Sequence, residues 1–182
     1  MEQLINNSLT DKNAGHTYLS VYESLFKNIK DSVKNILEIG VYTGGSMLLW
    51  HDYFLNANVH GLDVRDEPDV IKNIDRIKFY HADAYSHSFI RTTFEETNMK
   101  FDIVIDDGPH SLDSMMIFAN RYSKLLTDKG ILVIEDIQDM SWIPKIIQSF
   151  PKEYQEYVYV KDRRHIIDRY DDVMIILDKR QI

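Results

Sequence analysis

Short runs rich in β-branched residues recur along this chain at intervals that leave room for a helix between them: Asn35–Gly40, Val59–Val64, Ile77–Asp83, Phe101–Asp107 and Gly130–Asp136. Antiparallel neighbours can be joined by a two-residue turn, whereas parallel ones need a crossover of a dozen residues or more. The spacing therefore predicts an α/β protein with a mostly parallel sheet and helices on both faces. Ile103-Val-Ile105 and Ile131-Leu-Val-Ile134 are apolar without alternation, as central strands covered on both sides must be. Between them, Ser111–Leu126 starts on a hydroxyl that can cap a helix and continues with apolar residues at helical spacing.

After Asp136 the rhythm changes. A helix is expected around Ile143–Phe150, followed by two strands, Tyr157–Lys161 and Val173–Leu177, separated by the charged stretch Asp162–Asp172. A closing hairpin fits this spacing better than another strand-helix-strand unit. The first ~30 residues read as a polar arm entering a helix, Tyr18–Ile29, in front of the first strand. No linker is visible, so residues 1–182 are expected to form a single domain, with 1–30 as an arm and helix covering the ligand site.

Composition narrows the chemistry. The chain has no cysteine, which removes disulfides, thiolate nucleophiles and sulfur-held zinc together. Any metal must be held by carboxylates, carbonyls or histidines. A net charge of −8 counts against nucleic acid or an acidic membrane as the main partner. No amino-terminal leader pattern and no run near the ~20 apolar residues of a membrane span is present, so no membrane role and a cytoplasmic location are expected.

Ile36-Leu-Glu-Ile-Gly-Val-Tyr-Thr-Gly-Gly-Ser46 reads as a strand, a glycine turn and a helix start, which exposes backbone N–H groups to a polar ligand. The spacing is neither a P-loop nor a regular dinucleotide fingerprint. Asp63 ends the second strand in G-L-D-V, where a carboxylate can accept both hydroxyls of a ribose. Asp83 ends the third strand in H-A-D, placed to accept from an adenine amino group. Each aspartate alone could equally cap a helix; three acidic or glycine signals in consecutive units favour an adenosine ligand.

These three stretches resemble the first motifs of class I S-adenosylmethionine-dependent methyltransferases. That resemblance implies a Rossmann-like, seven-stranded, mostly parallel sheet with an antiparallel last strand. It implies cofactor contacts from Glu38, Gly40, Tyr42, Gly44, Ser46, Asp63 and Asp83, with Tyr18 and Asp106 nearby. The motif departs from the commoner G-x-G-x-G form after Gly40.

A second constellation is acidic. Asp106-Asp107 closes one strand and Glu135-Asp136 the next, and neighbouring parallel strands would bring them together at the carboxyl edge of the sheet, where open α/β sheets bind ligands. Four clustered carboxylates repel unless some are protonated or a cation sits among them; hard oxygen donors point to Mg²⁺, Mn²⁺ or Ca²⁺. Strand alternation means that not all four can be ligands, and it turns Asp106 away from Asp107, toward orienting the cofactor or bracing the loop. His110, three residues on, is placed to act as a general base on a hydroxyl, although a lone loop histidine is more commonly a surface residue or a helix cap.

D-D-G-P-H-S followed by I-E-D-I-Q, together with the amino-terminal T-D-K-x-x-x-H-x-Y-x-x-x-Y-E from Thr10 to Glu23, resembles the metal-dependent O-methyltransferases that modify macrolide sugars such as those of mycinamicin and macrocin, and their cephalosporin hydroxylase-like relatives. The resemblance implies Asp107, Glu135 and Asp136 as Mg²⁺ ligands (or Mn²⁺/Ca²⁺), His110 as base, and a sugar or other small-molecule hydroxyl as acceptor. Pro109 stands where the family commonly has serine. The competing readings are a nicotinamide-dependent reductase and a catalytically silent cofactor-binding scaffold. Trp142 is a candidate acceptor wall, whereas Tyr154, Tyr157 and Tyr159 read as edge-strand packing. Arg163, Arg164, His165 and Arg169 leave three roles open: gripping a phosphate, forming a solvated loop, or making a subunit contact in a homodimer.

Overall fold

A computed structural model describes all residues from Met1 to Ile182. Seven strands form one sheet in the order β3-β2-β1-β4-β5-β7-β6. They are β1 (Asn35–Ile39), β2 (Asn58–Asp63), β3 (Ile77–His81), β4 (Phe101–Asp106), β5 (Leu126–Ile134), β6 (Val158–Asp162) and β7 (Val173–Asp178). The first five are parallel to one another, and β7 inserts antiparallel to both β5 and β6. The order reverses between β1 and β4. Their carboxyl ends therefore open a crevice, because the two chain directions lead away from each other there.

The pleat explains why the central strands are apolar throughout. Ile36, Ile103, Ile105, Ile131 and Val133 face one core with the helices α1 (Leu19–Phe26) and α2 (Gly45–Tyr53). Leu37, Ile39, Val104, Leu132 and Ile134 face the other, under α4 (Leu112–Tyr122) and α5 (Ile143–Ser149). On the first face, Trp50 packs edge-on to Tyr22 and Phe26, with ring centroids 5.1 and 6.1 Å away. Burying aromatic side chains of this size contributes roughly 2–3 kcal/mol each, which secures α1 and the arm before it against the sheet.

The expected elements are present with shifted ends. The helix foreseen over Ser111–Leu126 keeps Ser111 as its cap, paired reciprocally with Ser114, but tightens into a 3₁₀ turn at Ser123–Leu125. β5 starts at Leu126, ahead of the expected Gly130, because Leu126 already pairs with Phe101 before the register shifts. It also ends at Ile134, so Glu135 and Asp136 lie just beyond it. A short helix follows β3 as α3 (His87–Ile90), and α6 (Arg164–Ile167) lies in the hairpin between β6 and β7. No helix is long and apolar enough to cross a membrane.

The residues set aside as packing positions behave in different ways. Tyr154 and Tyr157 pack on the second core and Tyr159 on the first. Trp142, expected as a possible acceptor wall, packs against the second core and does not line the main cavity. Arg163 donates to the hydroxyls of Thr17 and Ser20 at 2.8 and 2.9 Å, and Arg169 donates to the Gly15 carbonyl at 3.0 Å. Both arginines fasten the amino-terminal arm.

Candidate active site

A cavity of about 950 Å³ occupies the crevice above β1, β2 and β4. Three turns build its floor. After β1 the chain turns through Gly40 at φ +84°, where a Cβ would stand 1.8 Å from the Asp107 carbonyl oxygen, so no side chain fits. This close approach packs the first motif directly on the acidic loop after β4. Next, Asp63 gathers the turn: its carboxylate accepts from the backbone N–H of Val41 at 2.8 Å, Tyr42 at 3.0 Å and Arg65 at 2.9 Å. Burial opposes ionisation of Asp63, but these donors outweigh it and hold its pKa below the ordinary value. Tyr42 stands exposed at the rim with the Arg65 guanidinium 4.9 Å from its ring centroid.

The amino-terminal arm supplies the facing wall through Asn7, Ser8, Leu9, Thr10, Asp11 and Ala14. The Thr43 hydroxyl donates to the Leu9 carbonyl, and that carbonyl lies 2.3 Å from where a Gly45 side chain would begin. Glycine at 45 thus makes room for the arm.

Pleat geometry sorts the carboxylates. Asp107 N donates to Ile39 O at 2.8 Å and Glu135 N to Asp106 O at 3.0 Å, which keeps the strand register just beyond β4 and β5. Glu38, Asp107 and Glu135 alternate onto the α1 face, and Asp106 onto the opposite one. There Asp106 is buried, accepts from the Tyr85 hydroxyl at 2.6 Å, and has its pKa pushed up to about 6, mainly by burial. It braces the loop from below and does not line the cavity.

The three carboxylates on the α1 face converge on a cation that the sequence reading did not identify. Lys12 Nζ, on a side chain 1% exposed, lies 2.7 Å from Asp107 Oδ2 and 3.2 Å from Glu38 Oε1, and it also pairs with Glu135. Burial opposes the charge, but attraction from Asp107, Glu135 and Glu38 outweighs it and raises the Lys12 pKa, so the ammonium persists. The Trp50 indole donates to Glu38 at 3.0 Å and the Tyr22 hydroxyl donates to Glu135. One ammonium among three carboxylates leaves surplus negative charge; burial, together with repulsion from Asp107, raises the pKa of Glu38 against the pull of Lys12.

A second group lies on the cavity side of Asp107. Asp107, His110 and Asp136 present ligand atoms all within 4.8 Å of one another. His110 Nε2 is 3.4 Å from Asp136 Oδ2 and 3.8 Å from Asp107 Oδ1. His110 and Asp136 both adopt the left-handed region, at φ +51° and +56°. Each such conformation costs about 1 kcal/mol or more for a residue other than glycine, and here it turns both side chains back toward the crevice. The Tyr18 hydroxyl donates to Asp136 at 2.6 Å, and His16 Nδ1 lies 3.4 Å from the same carboxylate. Burial, then repulsion from Asp107, raises the Asp136 pKa against the pull of His16 and His110. Two carboxylates around one point, with surplus negative charge behind them, suit a hard divalent cation, and the imidazole beside them is free to take a proton.

Of the residues expected to bind cofactor or metal, Gly40, Tyr42, Ser46, Asp63, Asp83, Asp107, His110 and Asp136 line the cavity. Glu38, Gly44, Tyr18, Asp106 and Glu135 do not: Gly44 caps α2, and the others lie beneath the surface as hydrogen-bond partners. The missed participants are Lys12 and His16. Their signal in the sequence is the amino-terminal T-D-K-x-x-x-H pattern, which carries both residues.

No family model matches the chain. Over 149 residues it is 29% identical to 8-demethyl-8-alpha-L-rhamnosyl tetracenomycin-C 2'-O-methyltransferase of Streptomyces olivaceus, covering 73% of this chain and 36% of that protein. Over 145 residues it is 28% identical to mycinamicin VI 2''-O-methyltransferase of Micromonospora griseorubida, covering 76% and 36%. The chain thus spans little more than a third of the length of these relatives. Among solved structures, the MycE methyltransferase from the mycinamycin biosynthetic pathway in complex with Mg and SAH superposes with a TM-score of 0.70 at 21% identity, covering 90% of this chain and 50% of that one. The fold is that of class I methyltransferases, as the motifs implied.

Proposed function

We propose that this chain is an S-adenosylmethionine-dependent, divalent-metal-dependent O-methyltransferase acting on a hydroxyl of a sugar or other small molecule. The observation that carries the reading is the placement of His110, Asp107 and Asp136 within one cavity with the Gly40 turn and Asp63. A nucleoside recogniser and a proton acceptor with acidic neighbours share one water-accessible space. The relatives named above modify sugar hydroxyls, which favours a sugar or glycoside as acceptor.

In this reading Asp63 accepts from a ribose hydroxyl through Oδ1, which takes one N–H and keeps a lone pair free, whereas Oδ2 already takes two. Asp83, at the rim after β3, faces the adenine end. The Gly40 turn brings its backbone against the amino-acid portion. Asp107 and Asp136 on the cavity side, with Glu135 beneath them as the third ligand, would hold Mg²⁺ or a similar cation. When bound, such a cation supplies charge that favours the alkoxide over the hydroxyl.

The chain's own residues do the rest. His110 Nε2 takes the hydroxyl proton, and Asp136, 3.4 Å away, steadies the imidazolium that forms. The arm from Asn7 to Ala14 walls the space beside both reactants, which limits where the acceptor oxygen can approach the sulfonium methyl. Atoms balance: the oxygen gains the methyl carbon, the sulfonium leaves as a neutral thioether, and the proton rests on His110.

The test is twofold. Isothermal titration with S-adenosylhomocysteine should show binding; its absence would sink the methyltransferase reading. Transfer of labelled methyl from S-adenosylmethionine to a pool of glycosides should cease in excess chelator and return with Mg²⁺. Turnover indifferent to chelator would leave a methyltransferase without the metal.

A further inference from the structure

Asp107 belongs to two groups at once. Its Oδ2 accepts from Lys12 at 2.7 Å, while its Oδ1 faces His110 Nε2 at 3.8 Å on the cavity side. Glu135 lies wholly on the Lys12 side, one oxygen on the ammonium and the other on the Tyr22 hydroxyl. A divalent cation that drew on Asp107 and Glu135 together would take Asp107 Oδ1 from the cavity side but, at Glu135, oxygens that Lys12 and the Tyr22 hydroxyl already hold. Two cations cannot share those oxygens at full strength, because like charges a few ångströms apart repel strongly where water is excluded.

Lys12 cannot withdraw on its own. Its side chain is buried, and the backbone around it is closed by three hydrogen bonds: Gly15 N and His16 N to Asp11 O, both at 2.8 Å, and Tyr18 N to Lys12 O at 3.2 Å. Moving the ammonium away from Glu135 therefore moves the arm. The adjoining residues Leu9, Thr10, Asp11 and Ala14 wall the cavity.

We infer that Lys12 is a tethered cation and a positioning residue of the metal centre: cation binding at Asp107 and Glu135 displaces its ammonium and loosens the arm that walls the cofactor cavity. The inference rests on the metal reading above. It adds a reason for the arm's lysine, namely that its ammonium offsets part of the charge of Glu38, Asp107 and Glu135. Coupling of this kind is reciprocal, so whatever orders the arm weakens the hold on the cation.

The experiment measures Mn²⁺ affinity by electron paramagnetic resonance for the wild type and Lys12→Met, and hydrogen exchange of the arm amides in the wild type with and without Mn²⁺. Lys12→Met should bind Mn²⁺ about tenfold more tightly or better, since one competing charge is gone. In the wild type, exchange at Gly15, His16 and Tyr18 should quicken as Mn²⁺ is added. Equal or weaker Mn²⁺ binding by a folded Lys12→Met, or arm amides indifferent to Mn²⁺, overturns the coupling while leaving the metal reading in place. If Lys12→Met does not fold, the wild-type exchange measurement decides alone. A wild type that binds no Mn²⁺ overturns the metal reading and the coupling with it.

Discussion

Lys12 Nζ and Asp107 Oδ2 meet at 2.7 Å although 95 positions of sequence separate them. The contact joins the amino-terminal arm to the end of the central strand β4, and it places a positive charge behind the carboxylate that faces His110. Substitutions around this pair separate binding, chemistry and folding.

His110 should be dispensable for binding and needed for turnover. Asparagine tolerates the left-handed backbone found at this position, so His110→Asn keeps the loop. Methyl transfer is expected to fall by roughly 10²–10⁴-fold, the ordinary contribution of a general base, with S-adenosylhomocysteine affinity within a few-fold of wild type. Steady-state kinetics alongside calorimetry checks both; turnover close to wild type would remove His110 from the mechanism.

Asp63 should report on the cofactor. Asp63→Ala removes an acceptor shared by three backbone N–H groups and, in the proposed function, by the ribose. Losing a charged hydrogen bond of about 2 kcal/mol corresponds to roughly thirtyfold weaker S-adenosylhomocysteine binding. Mn²⁺ affinity should be unchanged, because the carboxylate lies outside the Asp107–His110–Asp136 group. Undiminished cofactor affinity would take the ribose contact away from this residue.

Gly40→Ala should damage both halves of the site together. The new methyl would have to stand 1.8 Å from the Asp107 carbonyl on a backbone at φ +84°. A cost of about 3 kcal/mol or more is expected, visible as a lower unfolding midpoint in urea. A variant with wild-type stability would mean that the turn and the acidic loop can separate.

Asp106 gives a pH signature. Its pKa is raised to about 6, chiefly by burial, so the folded chain holds this proton more tightly than the unfolded chain does. The contribution favours folding below about pH 4 and is lost as pH rises through about 6. Asp106→Asn keeps an acceptor for the Tyr85 hydroxyl and carries no charge. It should be more stable than wild type at pH 7 by up to roughly 3 kcal/mol, with the difference vanishing near pH 4. Parallel denaturation curves for the two proteins at pH 4 and 7 test this, and a difference independent of pH would show that Asp106 is not perturbed.

Much of the fold was legible because periodicity is local. Ile103-Val-Ile105 and Ile131-Leu-Val-Ile134 had to be central strands, since only a sheet covered on both faces tolerates unbroken apolar runs. Glycine at position 40 and the acids closing the strands similarly announced a ligand edge at their carboxyl ends. The alternation rule even turned Asp106 away from Asp107, and Asp106 does face the opposite side of the sheet, against Tyr85.

What stayed hidden depended on contacts between distant segments. Four clustered carboxylates demanded a cation, and nothing local revealed that a lysine from the arm already supplies one to Glu38, Asp107 and Glu135. Strand ends were equally out of reach: β5 stops at Ile134, which frees Asp136 to adopt its left-handed turn toward His110 while Glu135 stays pinned beneath. Sequence by itself determined the sheet, its apolar faces and the acidic edge, because each follows from spacing within a few residues. Tertiary structure alone decided which acid meets which cation, because charge pairing depends on distance in space, and the arm crosses the sheet edge before its lysine finds the three carboxylates.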